Sequence, residues 1–224
     1  LEEILVDEKN LSYTVQEGVL YELGDSGAKR RIVFCPLKNI KAFAAPESVE
    51  WIDSYAFWGC KELQSVYIPA SVQKIGSAFQ FAGLQNVYYG SGSDELEDTK
   101  EYYDFSKTVE KAHLHFNFNP EDYQSSLLSD QTAEISGYWG TDSELSLPAG
   151  LGNTIVSSIG TEAFSGCRSV VHADIPDSVV RIGDRAFEGC SALERIVVPA
   201  GVTFVGADAF NGCFSLREIY YAGS

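Results

Sequence analysis

The sequence contains no methionine and only three histidines. Basic residues are scarce: 16 Lys and Arg stand against 32 Asp and Glu, a formal net charge of -16. That surplus repels polyphosphates, so neither general nucleic-acid binding nor docking on an anionic bilayer is expected. Every apolar run is far shorter than the roughly 20 residues needed to cross a bilayer, so no membrane insertion is expected. No basic stretch followed by an apolar segment opens the chain, and no signal peptide is expected within it. The start at Leu1 and the missing methionine read as a mature or trimmed fragment of a longer protein. No CxxC pair occurs, which removes the usual thiolate signature of a zinc site.

What is present is a globular composition that is rich in aromatics. Hydrophobic residues make up 45% and charged residues 21% of the 224 positions, so the chain is not a disordered tail. Its dominant feature is a repeat. Ile159-Gly160, Ile182-Gly183 and Val205-Gly206 recur every 23 residues, and so do Ala163-Phe164, Ala186-Phe187 and Ala209-Phe210. Gly166-Cys167, Gly189-Cys190 and Gly212-Cys213 keep the same register, followed by Val170, Leu193 and Leu216. Pro176 and Pro199 share it, and the first half repeats it through Pro46 and Pro69, Val49 and Val72, and Ile52 and Ile75.

One unit reads as strand, stop and turn. The alternation of Ile196-x-Val198 predicts a strand with one face inward. Pro199 lacks an amide hydrogen and ends it. Gly206 permits a turn, and Ala209-Phe210-x-Gly212-Cys213 predicts a single helical turn closed by Gly212. No unit can bury Leu193, Ile196, Val198, Val202 and Phe210 alone. Stacked units share one continuous core, which is the logic of a solenoid.

The stretches IGTEAFSGC (159–167), IGDRAFEGC (182–190), VGADAFNGC (205–213) and IDSYAFWGC (52–60) closely resemble the BspA-type leucine-rich repeat of bacterial surface proteins. Residues 17–21 with 33–36 look like that family's hairpin-bearing long repeat, and 132–148 like its opening strands. The resemblance implies an α/β fold: a right-handed, horseshoe-like solenoid of 23-residue repeats with a parallel concave sheet and short helical turns. Strands are expected near residues 3–6, 42–45, 65–68, 86–89, 172–175, 195–198 and 218–221. The first array spans residues 1–116, a linker 117–130, and the second array 131–224. The rung Ile75-Gly76-Ser77-Ala78-Phe79 is one residue short, lacks the cysteine and is expected to be distorted. Leu84–Ser91 mirrors Leu216–Gly223, a Tyr-Tyr pair replacing the strand end in both, and looks like an array's closing rung. A helix near 97–111 and a strand at 112–116 are expected to follow.

Cys60, Cys167, Cys190 and Cys213 hold one repeat position and are expected to be reduced, buried and stacked, with Cys35 buried off that ladder. Equivalent side chains on successive rungs run parallel, which suits a disulfide poorly. His113 and His115 share a strand face without a third ligand, and a solvated terminal strand is expected there. His172 and Asp174 also share a face, but the neighbouring slots hold Arg195 and Val197 and offer no nucleophile. The acidic run 94–98 lacks the alternating ligands of a calcium loop. Gly90-x-Gly92 and Gly150-x-Gly152 lack the helix and Lys of a phosphate loop. No catalytic residue, metal site or cofactor is expected.

The strand positions between core residues face outward. One slot carries Glu3, Ser65, Asn86, His172, Arg195 and Glu218, and the next Leu5, Tyr67, Tyr88, Asp174, Val197 and Tyr220. From these, Tyr67, Tyr88, His172, Asp174, Arg195, Glu218 and Tyr220 are the candidate ligand-binding residues. Tyr is a rigid amphipathic contact residue, and it is also favoured on strands by β-propensity alone; both readings stand. Mixed charges point to a protein or neutral glycan as partner. The expected function is a non-catalytic binding or adhesion scaffold, secreted or at the cell surface as the resemblance implies. The alternative is a recognition module attached to an enzyme elsewhere in a longer polypeptide.

Overall fold

The computed structural model describes residues 4–97, 99 and 102–222. The chain divides into two compact units, Leu1–Phe118 and Asn119–Ser224. Unit one contains β1 (Tyr13–Gln16), β2 (Val19–Leu23), β3 (Lys29–Phe34), β4 (Ala42–Ala44), β5 (Trp51–Ile52), β6 (Ser65–Ile68), β7 (Lys74–Ile75), β8 (Asn86–Tyr89), α1 (Ser93–Glu97), α2 (Tyr102–Thr108) and β9 (His113–His115). Unit two contains β10 (Tyr123–Leu127), β11 (Ala133–Tyr138), β12 (Glu144–Ser146), β13 (Gly150–Leu151), β14 (Thr154–Ile159), β15 (His172–Asp174), β16 (Arg181–Ile182), β17 (Arg195–Val198), β18 (Phe204–Val205) and β19 (Glu218–Tyr221).

Each unit is a stack of coils between two sheets. In unit one the sheets run β1-β2-β3-β5-β7 and β4-β6-β8-β9; in unit two they run β10-β11-β14-β16-β18 and β12-β15-β17-β19. Pairing between coils is parallel and follows the repeat residue for residue, as in Arg195↔Glu218 and Ile182↔Val205. Both units open on antiparallel hairpins, β1-β2-β3 and β10-β11. The strands expected at 42–45, 65–68, 86–89, 172–175, 195–198 and 218–221 are β4, β6, β8, β15, β17 and β19.

The repeated Phe forms the spine of each core. Phe164 stacks on Phe187 at 5.0 Å between ring centroids and Phe187 on Phe210 at 5.6 Å. In unit one Phe57 stacks on Phe79 at 5.1 Å, and Phe43 from β4 packs against Phe57 at 4.8 Å with its ring tilted by 50°. The short rung therefore still delivers Phe79 to the stack. The missing residue is the one before Ala78, the slot that Tyr55 fills in the preceding coil, and Phe81 takes the left-handed slot of Gly59, at φ 62 and 65% exposed.

Several expectations are corrected. Among the described residues the solenoid is built of strands and turns, with α-helix only in α1 and α2, so the α/β label fits loosely. The Ala-Phe-x-Gly-Cys segment is the single turn expected, with Glu188 N donating to Arg185 O at 3.0 Å and Cys190 N to Phe187 O at 3.2 Å. Arg185 at φ 52 and Gly189 at φ 72 are left-handed at its two ends, so right-handed winding stops after one turn. The Ile-Gly position is a second parallel sheet rather than a turn. Gly183 and Gly206 have ordinary φ, but a Cβ on Gly206 would lie 2.4 Å from Asp184 N, so glycine there allows close stacking of coils. Residues 4–6 form no strand and Leu5 is 84% exposed; Glu3 lies outside the described residues. β8 does not close the first array, because β9 pairs with it in parallel after α1 and α2. Residues 98, 100 and 101 of the expected helix lie outside the described set. The stretch read as a linker holds a 3-10 turn, Pro120–Asp122, and the edge strand β10, whose polar side chains face solvent. Asn119 initiates it by accepting the Glu121 amide at 3.2 Å.

Candidate functional site: the outer sheet faces

Alternation in β4, β6, β8 and β9 sends Phe43, Val66, Val87 and Leu114 to the core, and places Ala44, Tyr67, Tyr88 and His115 on the other face. That face is covered in unit one. Tyr88 is 1% exposed, stacked on His115 at 4.4 Å and 11° and against Phe118 at 4.8 Å. Tyr67 is 9% exposed, edge-on to Phe118 at 5.7 Å, with its hydroxyl donating to Glu47 Oε1 at 2.8 Å. Phe118 is held there by its amide, which donates to Tyr89 O at 3.0 Å. Tyr67 and Tyr88 are thus packing residues, and the expectation that they meet a ligand is corrected. The signal was a lone Phe118 in the polar run Asn117-Phe118-Asn119-Pro120.

His115 is likewise not solvated. Its ring is half-buried and its Nε2 lies 3.0 Å from Asn86 Oδ1, which makes Nε2–H the donor. Burial first, and the charge of His113 second, lower its pKa from 6.5 to about 4. The unfolded state then binds the extra proton between those values, so stability falls as pH drops from about 6.5 to about 4. The loss should reach about 2–3 kcal/mol. Denaturant titrations at pH 7 and pH 4.5 test this, and His115→Phe should flatten the difference; an equal acid loss in both proteins would place its cause elsewhere.

The same face in unit two is open. Parallel pairing aligns Glu144, His172, Arg195 and Glu218 in one row, and Ser146, Asp174, Val197 and Tyr220 in the next. Glu144, Asp174, Arg195, Glu218 and Tyr220 are exposed, Tyr220 by 63%, and His172 is half-buried. His172 Nδ1 lies 2.8 Å from Glu144 Oε2. The structure therefore brings His172, Asp174, Arg195, Glu218 and Tyr220 together as neighbours. Glu144 was missed, although Leu145-x-Leu147-Pro148 repeats the Ile196-x-Val198-Pro199 pattern that locates it. His172 pairs with Glu144 and not with a nucleophile. Among the described residues no three His, Cys, Asp or Glu side chains are grouped to hold a metal. No helix among them is long and apolar enough to cross a membrane.

The five cysteines are free. Cys35, Cys60 and Cys190 are buried, while Cys167 and Cys213 are only half-buried. Cys190 Sγ donates to Phe164 O at 3.0 Å and Cys213 Sγ to Phe187 O at 3.1 Å, so these two cysteines tie their coils to the ones before. Cys35 is not isolated: its thiol and that of Cys60 both approach Leu37 O, at 3.8 and 3.4 Å. The hydrogen bond from Cys35, with Lys38 nearby, lowers the Cys60 pKa to about 7, and Cys35 is pushed up.

Stacked coils, parallel sheets and a buried phenylalanine spine define a leucine-rich-repeat solenoid. The family model of the BspA type leucine rich repeat region matches residues 30–131 and 145–224 in six copies, and the chain belongs to that family. The family is a repeat scaffold, generally non-catalytic. No curated protein matches. Among solved structures the chain is similar to a leucine rich cell surface protein from Faecalibacterium prausnitzii, at 16% identity over 97% of each chain with a TM-score of 0.26. It is also similar to the T. pallidum leucine-rich repeat protein, at 21% identity over 92% of this chain and 81% of that one, TM-score 0.29. The pneumococcal vaccine antigen PcpA matches at 16% identity over 97% of this chain and 38% of that one, TM-score 0.28.

Proposed function

We propose that the protein is a non-catalytic binding scaffold, secreted or at the cell surface, that takes a polypeptide ligand on the outer sheet face of unit two. The observation that carries this is the row Glu144–His172–Arg195–Glu218 with Asp174 and Tyr220 beside it, open to solvent and fixed in register by parallel pairing. Charges of both signs at fixed spacing select a partner with the opposite pattern. Tyr220 supplies an amphipathic contact that loses little entropy on binding. The cell-surface reading is supported by membership of the BspA-type repeat family, whose repeat resembles that of bacterial surface proteins. A matrix-protein and peptide binding array on the whole chain tests the proposal. For a ligand so found, Arg195→Ala and Tyr220→Ala should each weaken binding by about 1–2 kcal/mol with folding stability nearly unchanged. Unaltered affinity in both variants would remove this face from the reading.

A further inference from the structure

The turn side of unit one carries a surface that unit two lacks. Tyr55 and Trp58 project from the turn after β5 and are 52% and 50% exposed. Phe81, from the next turn, meets Trp58 edge-on at 6.2 Å between ring centroids. With Phe34 and Ser54 from neighbouring segments, Tyr55 and Trp58 line an open groove of about 440 Å³. Lys38 reaches over it: its ammonium lies 5.8 Å from the centroids of both Phe34 and Trp58 and donates to Trp58 O.

The fold does not require aromatics here, and unit two shows it. The Tyr55 slot is filled there by Glu162, Arg185 and Asp208, and the Trp58 slot by Ser165, Glu188 and Asn211. Those positions form a polar lattice, with Arg185 Nη2 2.6 Å from Glu162 Oε1 and Asn211 donating to Glu188 Oε1 at 3.0 Å. Tyr55 meanwhile sits at φ 67 and Phe81 at φ 62, left-handed backbone that disfavours bulky side chains. Tyr55 and Phe81 are thus large rings held more than half exposed on left-handed backbone, where unit two carries polar residues or glycine. Features of this kind collect at binding sites.

We propose that this groove is a second binding site, separate from the outer sheet face, for a neutral β-linked gluco-configured oligosaccharide. In such a chain every ring substituent is equatorial, so each sugar presents flat C–H faces and a rim of hydroxyls. The C–H faces match exposed aromatic rings. The rim meets Ser54 Oγ and the Lys38 ammonium at the groove's edge, and no carboxylate lines the groove. Trp58 and Phe81 lie on successive coils with ring centroids 6.2 Å apart, of the same order as the advance per sugar along an extended β-linked glycan. The overall charge of -16 works against polyanionic glycans and favours a neutral one.

The experiment is a titration of the whole chain with cellohexaose, following the three tryptophan indole N–H resonances by NMR. The Trp58 signal should shift saturably. Trp139, 64% exposed in unit two, should not, and reports indiscriminate stacking. Trp58→Ser and Tyr55→Asp install the residues that unit two carries at Ser165 and Asp208, so the backbone tolerates them; each should weaken binding at least tenfold with an unchanged circular-dichroism spectrum. Arg195→Ala should leave cellohexaose binding intact, which separates this site from the one on the sheet face. No saturable shift at millimolar sugar, equal shifts at Trp58 and Trp139, or full affinity in Trp58→Ser would each overturn the assignment. Saturable displacement of the Trp58 signal by an apolar peptide, with none by cellohexaose, would overturn it in favour of a protein partner.

Discussion

Replacing Phe187 by alanine should destabilise unit two by about 3–5 kcal/mol, measured as a lowered denaturant midpoint. Phe187 is fully buried, with Phe164 on one side and Phe210 on the other. Removing its ring opens a cavity that the neighbouring coils cannot close, because each is held by backbone bonds such as Phe164 N to Ala186 O and Phe187 N to Ala209 O, both 2.8 Å. The damage should spread along the stack in both directions, since a coil is stabilised only by its neighbours. Hydrogen exchange should quicken at Ile182 and Ile196 as well as at the turn. A loss under 1 kcal/mol would mean that the phenylalanine spine does not hold the coils together.

Tyr88→Ala should cost a similar amount, about 3–5 kcal/mol, and should do so in unit one. This reverses what its strand position alone implies. A residue on the outer face of a leucine-rich-repeat sheet is ordinarily solvated, and its truncation changes binding rather than stability. Here Phe118 folds back over the sheet, and Tyr88 lies between it and His115. Tyr88→Phe should be far milder, because the ring stacking survives. The comparison of the two variants by chemical denaturation separates a packing ring from a binding one: a Tyr88→Ala protein of undiminished stability would restore the ligand-contact reading.

These two residues show where sequence reasoning reached and where it stopped. Phe187 is legible because its role is periodic. A residue that recurs every 23 positions beside Ala and before Gly-Cys has to occupy the same place in every coil, and only the shared core can hold a large apolar side chain there. The same argument located six strands from the period-two alternation around Ile196 and its equivalents. Tyr88 is illegible because its partner is not periodic. Phe118 lies 30 positions later in a polar run, and no repeat arithmetic links the two. The second sheet escaped notice for a different reason. Its coil strands are mostly two residues long, too short to show an alternation, and a glycine required by close stacking looks in the sequence like a glycine required by a turn. On the candidate site, the slots carrying His172, Asp174, Arg195, Glu218 and Tyr220 were legible as a row because parallel pairing preserves the repeat register. The aromatic groove was not, since turn positions were read for their backbone needs and not for what their side chains display.

The parallel register of unit two also sets a scale. Glu144 and Glu218 stand three strand spacings apart, about 14 Å. An extended peptide laid along that row advances about 3.4 Å per residue, so four of its residues span about the same length. Two of its residues span about 7 Å, which falls between one strand spacing and two. The row therefore works as a vernier: the two gradations coincide at every third strand and every fourth ligand residue, and same-facing side chains two apart fall between marks. On the proposed reading, the two acidic ends of the row are matched by basic residues four positions apart in the ligand, and a ligand with its basic residues two or three apart is left out of step.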